Sequence, residues 1–424
     1  MWHKVALVVL LLSASQVGAA VKELRPVTLQ QVIGHGMKYG REMRRIETVF
    51  REARARYRET RSTFTPSVTL TGNDNGRRTS SIYKRLKKSG SLDYSFVNPG
   101  RGGNNSRSVS WKHPLFRTND LSLDLAEVNY AISRFERTRQ QVAYRFQIVS
   151  QYYEVLRLQE RVKVSANAVE RWKKLLDFAR ARYELGTSTK IDVLNAQVNL
   201  GNSENSLLAN EQNLASRRDT LSDYVGYPVD VHLEAKEPLV FTTADVAVGD
   251  DWLREDLAVS RLQVARARCR TRDARRNSRP DLDWESQWTD NEGSPSEVVH
   301  SLAWTFQLGR RTDEWTFLRL QESEKSTRIE LDRLAMAISI EQRDAQRRLE
   351  RLERSVRIAQ ASVRQAEESM EFSQFSFEKG AVSAIELREA QGNLTDARSN
   401  LVNLLIDYRI AVYQYERAMG GDLE

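Results

Sequence analysis

Residues 119–185 and 312–379 contain neither proline nor glycine. Few folds accept such stretches, because each is long enough for about 100 Å of unbroken helix at 1.5 Å per residue. In the first, Phe146, Val149, Tyr153, Leu156, Val169, Trp172, Leu176, Ala179 and Tyr183 recur at three- and four-residue steps. In the second, Leu331, Leu334, Ile338, Leu349, Leu352, Val356, Ala359, Val363, Ala366 and Met370 do the same. With charged residues between them, these rows predict amphipathic helices packed in coiled-coil fashion. Taken alone, the periodicity also fits a fibrous spacer or a dimeric coiled coil.

The two stretches belong to a longer internal repeat. Residues 183–226 align on 377–420 at a constant offset of 194 residues. Identical pairs include Glu184/Glu378, Gly186/Gly380, Ile191/Ile385, Ala196/Ala390, Gln197/Gln391, Asn199/Asn393, Leu200/Leu394 and Gly226/Gly420. Upstream, the run from Ala53 to Pro66 matches the run from Ala267 to Pro280, and Ser108–Trp111 matches Ser301–Trp304. The chain therefore reads as a tandem duplication, with repeats at 20–240 and 241–424. Each repeat predicts a shorter helix (28–62 and 250–277), a strand after a proline, a return strand, a very long helix, a Gly-marked turn and a return helix (190–225 and 384–419). Proline lacks a ladder donor and suits a strand start.

The strands add a second constraint. In 281–288, Leu282, Trp284 and Trp288 alternate with Asp281, Asp283, Glu285 and Gln287; in 298–308, Val298, His300, Leu302, Trp304, Phe306 and Leu308 alternate with smaller residues. The first repeat gives Val68 and Leu70, then Val109, Trp111, His113 and Leu115. Strands of this length, apolar on one face and polar on the other, suit an outer-membrane barrel; a solvated sheet packed on one face is the alternative. Four strands cannot close a barrel alone, so either the sheet stays open or several chains share one barrel. Leu92, Tyr94 and Phe96 also alternate, inside a 77–104 connection that the second repeat lacks, and read as a surface-loop hairpin.

At the N-terminus, Lys4 precedes an eight-residue apolar run, 5–12, and the small residues Val17-Gly18-Ala19-Ala20 follow. This is the pattern of a secretory signal peptide, 1–19, with cleavage after Ala19 or Ala20; eight apolar residues are far short of the roughly 17–25 needed to span a membrane as a helix. With 65 Lys+Arg against 57 Asp+Glu, the formal charge is +8. Both signs are interspersed, which predicts solvated helix faces and no nucleic acid partner. A single cysteine, Cys269, excludes an intrachain disulfide, and the five histidines have no ligand-like spacing. No metal site, cofactor or catalytic motif is expected, and the chain is not read as an enzyme.

Two segments carry a family resemblance. They are Tyr183-Glu-Leu-Gly186-Thr-Ser-Thr-Lys-Ile-Asp192-Val-Leu-Asn-Ala196-Gln197 and Phe377-Glu-Lys-Gly380-Ala-Val-Ser-Ala-Ile-Glu386-Leu-Arg-Glu-Ala390-Gln391. An aromatic–x–x–Gly turn, an acidic residue and an Ala-Gln step, present twice, resemble the TolC family of outer-membrane efflux proteins. The likeness extends over essentially the whole mature chain. It implies a mixed, mainly α fold: a long helical coiled-coil periplasmic tunnel joined to a transmembrane β-barrel shared by a homotrimer, four strands per chain. It also implies an exit duct in the outer membrane, extending into the periplasm. Cargo would come from an inner-membrane transporter through a periplasmic adaptor (membrane fusion protein), in an efflux or type I secretion system. The rival reading is a non-pore periplasmic coiled-coil adaptor or structural protein.

The resemblance also suggests roles for residues. Tyr183, Gly186, Phe377 and Gly380 would form adaptor-docking turns. Glu386 and Glu389, i and i+3 on one helix face, would line the periplasmic entrance, with Asp192 at the matching place in the first repeat. Threefold symmetry would stack two carboxylate rings that favour cations. Where some members close the tip with a tyrosine and an arginine, this chain has Phe377 and Val382; Lys190 and Arg388 are the candidate substitutes.

Overall fold

The computed structural model describes residues 23–87, 90–100, 102–115, 121–186, 189–228, 231–238, 241, 254–277, 281–305, 312–379 and 381–420. The expected signal peptide, 1–19, lies outside these residues, as does Gly380. In chain order the elements are β1 (Glu23–Val27), α1 (Leu29–Tyr39), α2 (Arg41–Ser62), β2 (Ser67–Gly72), β3 (Arg78–Leu86), β4 (Gly90–Asn98), β5 (Ser106–Pro114), α3 (Leu121–Glu184), α4 (Lys190–Val225), β6 (Val231–Ala235), α5 (Glu255–Asn277), β7 (Asp281–Asn291), β8 (Glu297–Thr305), α6 (Thr312–Glu378) and α7 (Ala384–Met419).

The proline- and glycine-free stretches are single helices, α3 of 64 residues and α6 of 67, and the return helices α4 and α7 are 36 residues each. No described helix is long and apolar enough to cross a membrane. The helix expected over 28–62 is two helices. Gly40 leaves the helical region (φ −58°, ψ 139°) and separates α1 from α2. The sequence analysis expects one element there because the apolar spacing continues through the break.

The chain divides into two compact units. One holds β1, α1, α3 from Ile148, α4, β6, α6 from Ile358 and α7 as far as Ile406. In it β1 and β6 pair as a small parallel sheet, Leu24 opposite His232. The Tyr152 hydroxyl donates to the Val27 carbonyl (3.1 Å) and accepts from the Lys236 N–H (3.2 Å), and Gln159 accepts from the Ala235 N–H (3.1 Å). Val32, Val149, Leu221, Val225 and Leu233 are fully buried. Buried aliphatic side chains supply the stability, and Tyr152 adds a second bond to each of two backbone groups, the Lys236 N–H and the Val27 carbonyl, that also pair with each other (3.1 Å). Sequence patterning did not reveal this sheet, since its strands are only five residues long and far apart in the chain.

The second unit holds α2, β2–β5, the start of α3, α5, β7, β8, α6 as far as Arg357 and the end of α7. Its sheet has six strands in the order β2-β3-β4-β5-β7-β8, antiparallel throughout. The sheet therefore holds two strands beyond the four that the sequence analysis expects. The 77–104 connection does form a hairpin, but as β3 and β4, inserted between β2 and β5 in the same ladder. The alternation of Leu92, Tyr94 and Phe96 is a sheet signal that the sequence reading assigns to a loop because the second repeat has no counterpart.

Register puts one set of side chains on a common face. Cross-strand partners give Val68 with Ile82, Ile82 with Tyr94, Tyr94 with Val109, Val109 with Trp288 and Trp288 with Val298. Trp111 and Trp284 meet edge-on on this face at 5.0 Å. The opposite face carries Thr69, Ser81, Ser95, Ser108, Thr289 and Glu297 at the same level. The apolar face is left uncovered: Leu70 on β2 is 74% exposed and Trp304 on β8 is 73% exposed.

Candidate functional site

Both helix-to-helix turns lie in the first unit. At the α3–α4 turn, the Leu185 N–H donates to the Ala181 carbonyl (3.1 Å) and the Gly186 N–H to the Tyr183 carbonyl (2.9 Å). Gly186 then takes φ +72°, the left-handed conformation that closes a helix without the steric penalty of a Cβ. Thr189 opens α4 in an extended conformation. Its N–H donates to the Asp192 carboxylate (3.0 Å), and the Asp192 N–H donates to the Thr189 hydroxyl oxygen (3.3 Å). This reciprocal capping box satisfies two donors that the helix start leaves free. The α6–α7 turn repeats it: the Ser383 N–H donates to Glu386 Oε2 and the Glu386 N–H to Ser383 Oγ, both at 3.3 Å.

The structure thus gives Asp192 and Glu386 a local role that the reading as an entrance pair misses. Ser/Thr three residues before an acidic residue is the capping-box signature, and it stands in the sequence at 189–192 and 383–386. Glu386 and Glu389 are both exposed, and the adjacent Leu387 and Ala390 are buried, so the two acids share an outward face.

The aromatic residues that open the turns differ. Tyr183 is 47% exposed, whereas Phe377 is 9% exposed. Phe377 lies 5.6 Å from the Phe178 ring, and the Arg182 guanidinium sits 5.5 Å from the Phe377 ring centre. Arg182 Nη1 also donates to the Phe377 carbonyl (3.2 Å). A cation at the last turn of α6 suits carbonyls that no further helix N–H can reach, and the Arg182 guanidinium lies 5.9 Å from the Phe178 ring centre as well, within cation–π range of both rings. Arg182 goes unnoticed in the sequence because its partner is 195 residues away.

The Ala-Gln step is also asymmetric. Gln197 is exposed, while Gln391 is 3% exposed, and neither its amide nitrogen nor its amide oxygen has a hydrogen-bond partner. It lines a pocket with Arg171, Trp172, Phe178, Phe377 and Leu387. Burial, reinforced by the charge of Arg398, lowers the proton affinity of Arg171 there. On α4, Ile191, Leu194 and Val198 leave an apolar row in solvent, and on α6 so do Phe372 and Phe375. Among the described residues no group of His, Cys, Asp or Glu is arranged to hold a metal ion. The two turns present exposed apolar and acidic side chains.

Solved structures of outer membrane proteins share this fold. The crystal structure of VceC from Vibrio cholerae matches with a TM-score of 0.75 at 16% identity, covering 93% of this chain and 97% of that one. The CmeC outer membrane channel of Campylobacter jejuni matches at 0.74 and 13%, covering 93% and 85%. The open-state MtrE outer membrane channel of Neisseria gonorrhoeae matches at 0.72 and 12%, covering 93% and 89%. At such identities the likeness is one of fold. No curated protein sequence matches significantly. Residues 41–227, from α2 through α4, match the family model described as Outer membrane efflux protein. Over these residues the chain is similar to outer membrane efflux proteins, and the solved structures show that it shares their fold.

Proposed function

We propose that three copies of the chain assemble into one passive exit duct. It receives cargo from an inner-membrane transporter through a periplasmic adaptor, in a tripartite efflux or type I secretion system. The observation that carries this reading is the six-stranded sheet with an uncovered apolar face and two unpaired edges, β2 and β8. Bare edges aggregate in isolation, and closure with other copies removes them. The two repeats, 20–240 and 241–424, each give a helical hairpin, so three chains would present six similar turns. In this reading the turns at Tyr183–Gly186 and Phe377–Gly380 dock the adaptor. The exposed rows on α4 and α6 then serve as contact surface for it or for the neighbouring copy. Glu386 and Glu389, with Asp192 at the matching position in the first repeat, supply negative charge at the periplasmic entrance.

The test is the assembled state. Purified from membranes in detergent, the protein is expected to be a homotrimer that inserts into planar bilayers and conducts ions. A water-soluble monomer without conductance would refute the channel assembly.

A further inference from the structure

The hairpin β3–β4 has the attributes of a wall segment. Each of its strands is nine residues long, within the roughly 9–11 that span a bilayer as tilted strands. All nine residues of β3 pair with β4, six of them also pair with β2, and seven residues of β4 pair with β5. A loop projecting beyond the sheet would pair only near its base.

The hairpin also reaches both ends of the sheet. Its turn lies against the helices: Arg85 sits 5.3 Å from the Phe64 ring centre beyond the end of α2, and Lys87 Nζ is 3.8 Å from an Asp124 carboxylate oxygen in the first turn of α3. At the opposite end, the 98–105 connection meets the β7–β8 loop. There the Asn104 amide donates to the Glu292 carbonyl (2.7 Å), and Asn105 donates to the Glu292 carboxylate through its N–H (3.1 Å) and its amide (2.9 Å).

The joint is close-fitting. Gly90 opens β4 at φ +81°, and a Cβ there would stand 1.8 Å from the Lys112 carbonyl of β5. Only glycine permits that approach. On the polar face, the Ser95 and Ser108 hydroxyls bond at 2.8 Å across β4 and β5.

The faces of the inserted strands match the rest. Ile82, Leu92, Tyr94 and Phe96 fall on the face of Val109, Trp111, Trp284 and Trp288, and Ser81, Asp93 and Ser95 fall on the face of Ser108, Ser110 and Gln287. Lys84, on the apolar face near the turn, has a stem long enough to carry its ammonium to the interface.

We propose that β3 and β4 are transmembrane strands whose apolar face meets lipid, so that each chain contributes six strands to the barrel. The inference rests on the three-copy channel above. The closed wall would then hold 18 strands, β8 of one copy pairing with β2 of the next. Barrel diameter grows about linearly with strand number, so the area inside the backbone cylinder is about twice that of a twelve-stranded barrel. Barrels of 16–18 strands leave an aqueous channel. The membrane segment is then wide, and any narrow point lies in the helical part.

Site-specific fluorescence tests this. In a Cys269→Ser background, single cysteines at Tyr94 and Ser95 in the hairpin, and at Val109 and Ser110 on β5, are labelled with a polarity-sensitive fluorophore. The protein is then reconstituted in vesicles. The expected result is quenching of 94 and 109 by doxyl-labelled lipid, and of 95 and 110 by aqueous iodide. If 109 and 110 alternate but 94 and 95 are both quenched by iodide alone, the hairpin is an external loop and the proposal fails while the channel stands. If 109 and 110 do not alternate, the channel and the proposal fail together. Electron cryomicroscopy of the unmodified trimer gives an independent count: eighteen strands support the proposal and twelve overturn it.

Discussion

The turn joining α3 to α4 and the turn joining α6 to α7 begin from related sequence and the same kind of cap, yet they expose different chemistry. The first turn leaves Tyr183 in solvent and Gln197 outside; the second folds Phe377 under Arg182 and buries Gln391 beside it. The shared parts satisfy helix ends, which any such turn must do. The parts that differ set the surface each turn presents. A duplicated chain can thus keep one way of reversing direction and still offer unlike faces to its partners.

The largest effect is expected where the turns are alike. Valine in place of both Gly186 and Gly380 should abolish export while trimer formation and membrane insertion persist. Gly186 sits at φ +72°, where a β-branched residue is strongly disfavoured. Export assays beside crosslinked-trimer yields would check it. Unchanged export would mean that neither turn docks an adaptor.

The next effect separates them. Phe377→Ala should cost about 3–5 kcal/mol of local stability, the usual range for removing a buried phenylalanine. Tyr183→Ala should stay within about 0.5 kcal/mol, as for exposed positions without special features. Hydrogen exchange of peptides covering 370–391 and 176–197 measures both. Equal protection losses would mean that the two aromatics pack alike in the assembled protein.

A smaller effect concerns the caps. Thr189→Ala and Ser383→Ala should each cost about 1 kcal/mol of helix-end stability, seen as faster exchange in the first turns of α4 and α7. Glu386→Gln keeps an acceptor for the Ser383 N–H but removes the charge. Combined with Glu389→Gln, it should lower cation preference and multivalent-cation block in bilayer recordings, with barrel insertion unchanged. If selectivity is unaffected, Glu386 acts only as a cap.

These expectations also mark what the sequence could disclose. The long helices were legible because 3.6-residue periodicity accumulates over more than 60 residues. The strand faces were legible from alternation at Trp284, Trp288, Leu302 and Trp304. Local periodicity says which face a strand shows but not which strand it joins, and so it left β3 and β4 outside the sheet. The caps were written in the sequence as Thr-x-x-Asp and Ser-x-x-Glu. Arg182 on Phe377 and the β1–β6 pair were not, since each is a long-range contact without a local pattern.

The smallest effect lies where the return helices end, and it again sets the two hairpins apart. Gly226 and Gly420 both take φ +86° there, but the neighbouring carbonyls are met by different side chains. In the first, His35 Nδ1 lies 3.3 Å from the Val225 carbonyl, with the His35 ring stacked on Tyr227 at 3.7 Å. In the second, the Ala418 carbonyl accepts from Arg254 and Gln342, both at 3.2 Å. Burial holds the His35 imidazole below its ordinary 6.5, with Arg25 adding to the effect and the Val225 carbonyl opposing it. A depressed folded-state pKa means that the unfolded chain takes the proton first. The contribution is complete above about pH 6.5 and is lost as pH falls through the lower folded value. Arg254 stays charged throughout. Burial works against the Asp256 carboxylate, but its bonds to Arg254 outweigh that and hold it below the usual range. Asp256 therefore keeps its charge until pH falls below the usual carboxylate range. Lowering the pH from about 7.5 to about 5.5 should speed exchange, corrected for its intrinsic rate, at residues 218–228. His35→Phe should remove the pH dependence. If it persists in that variant, another group governs the end of α4.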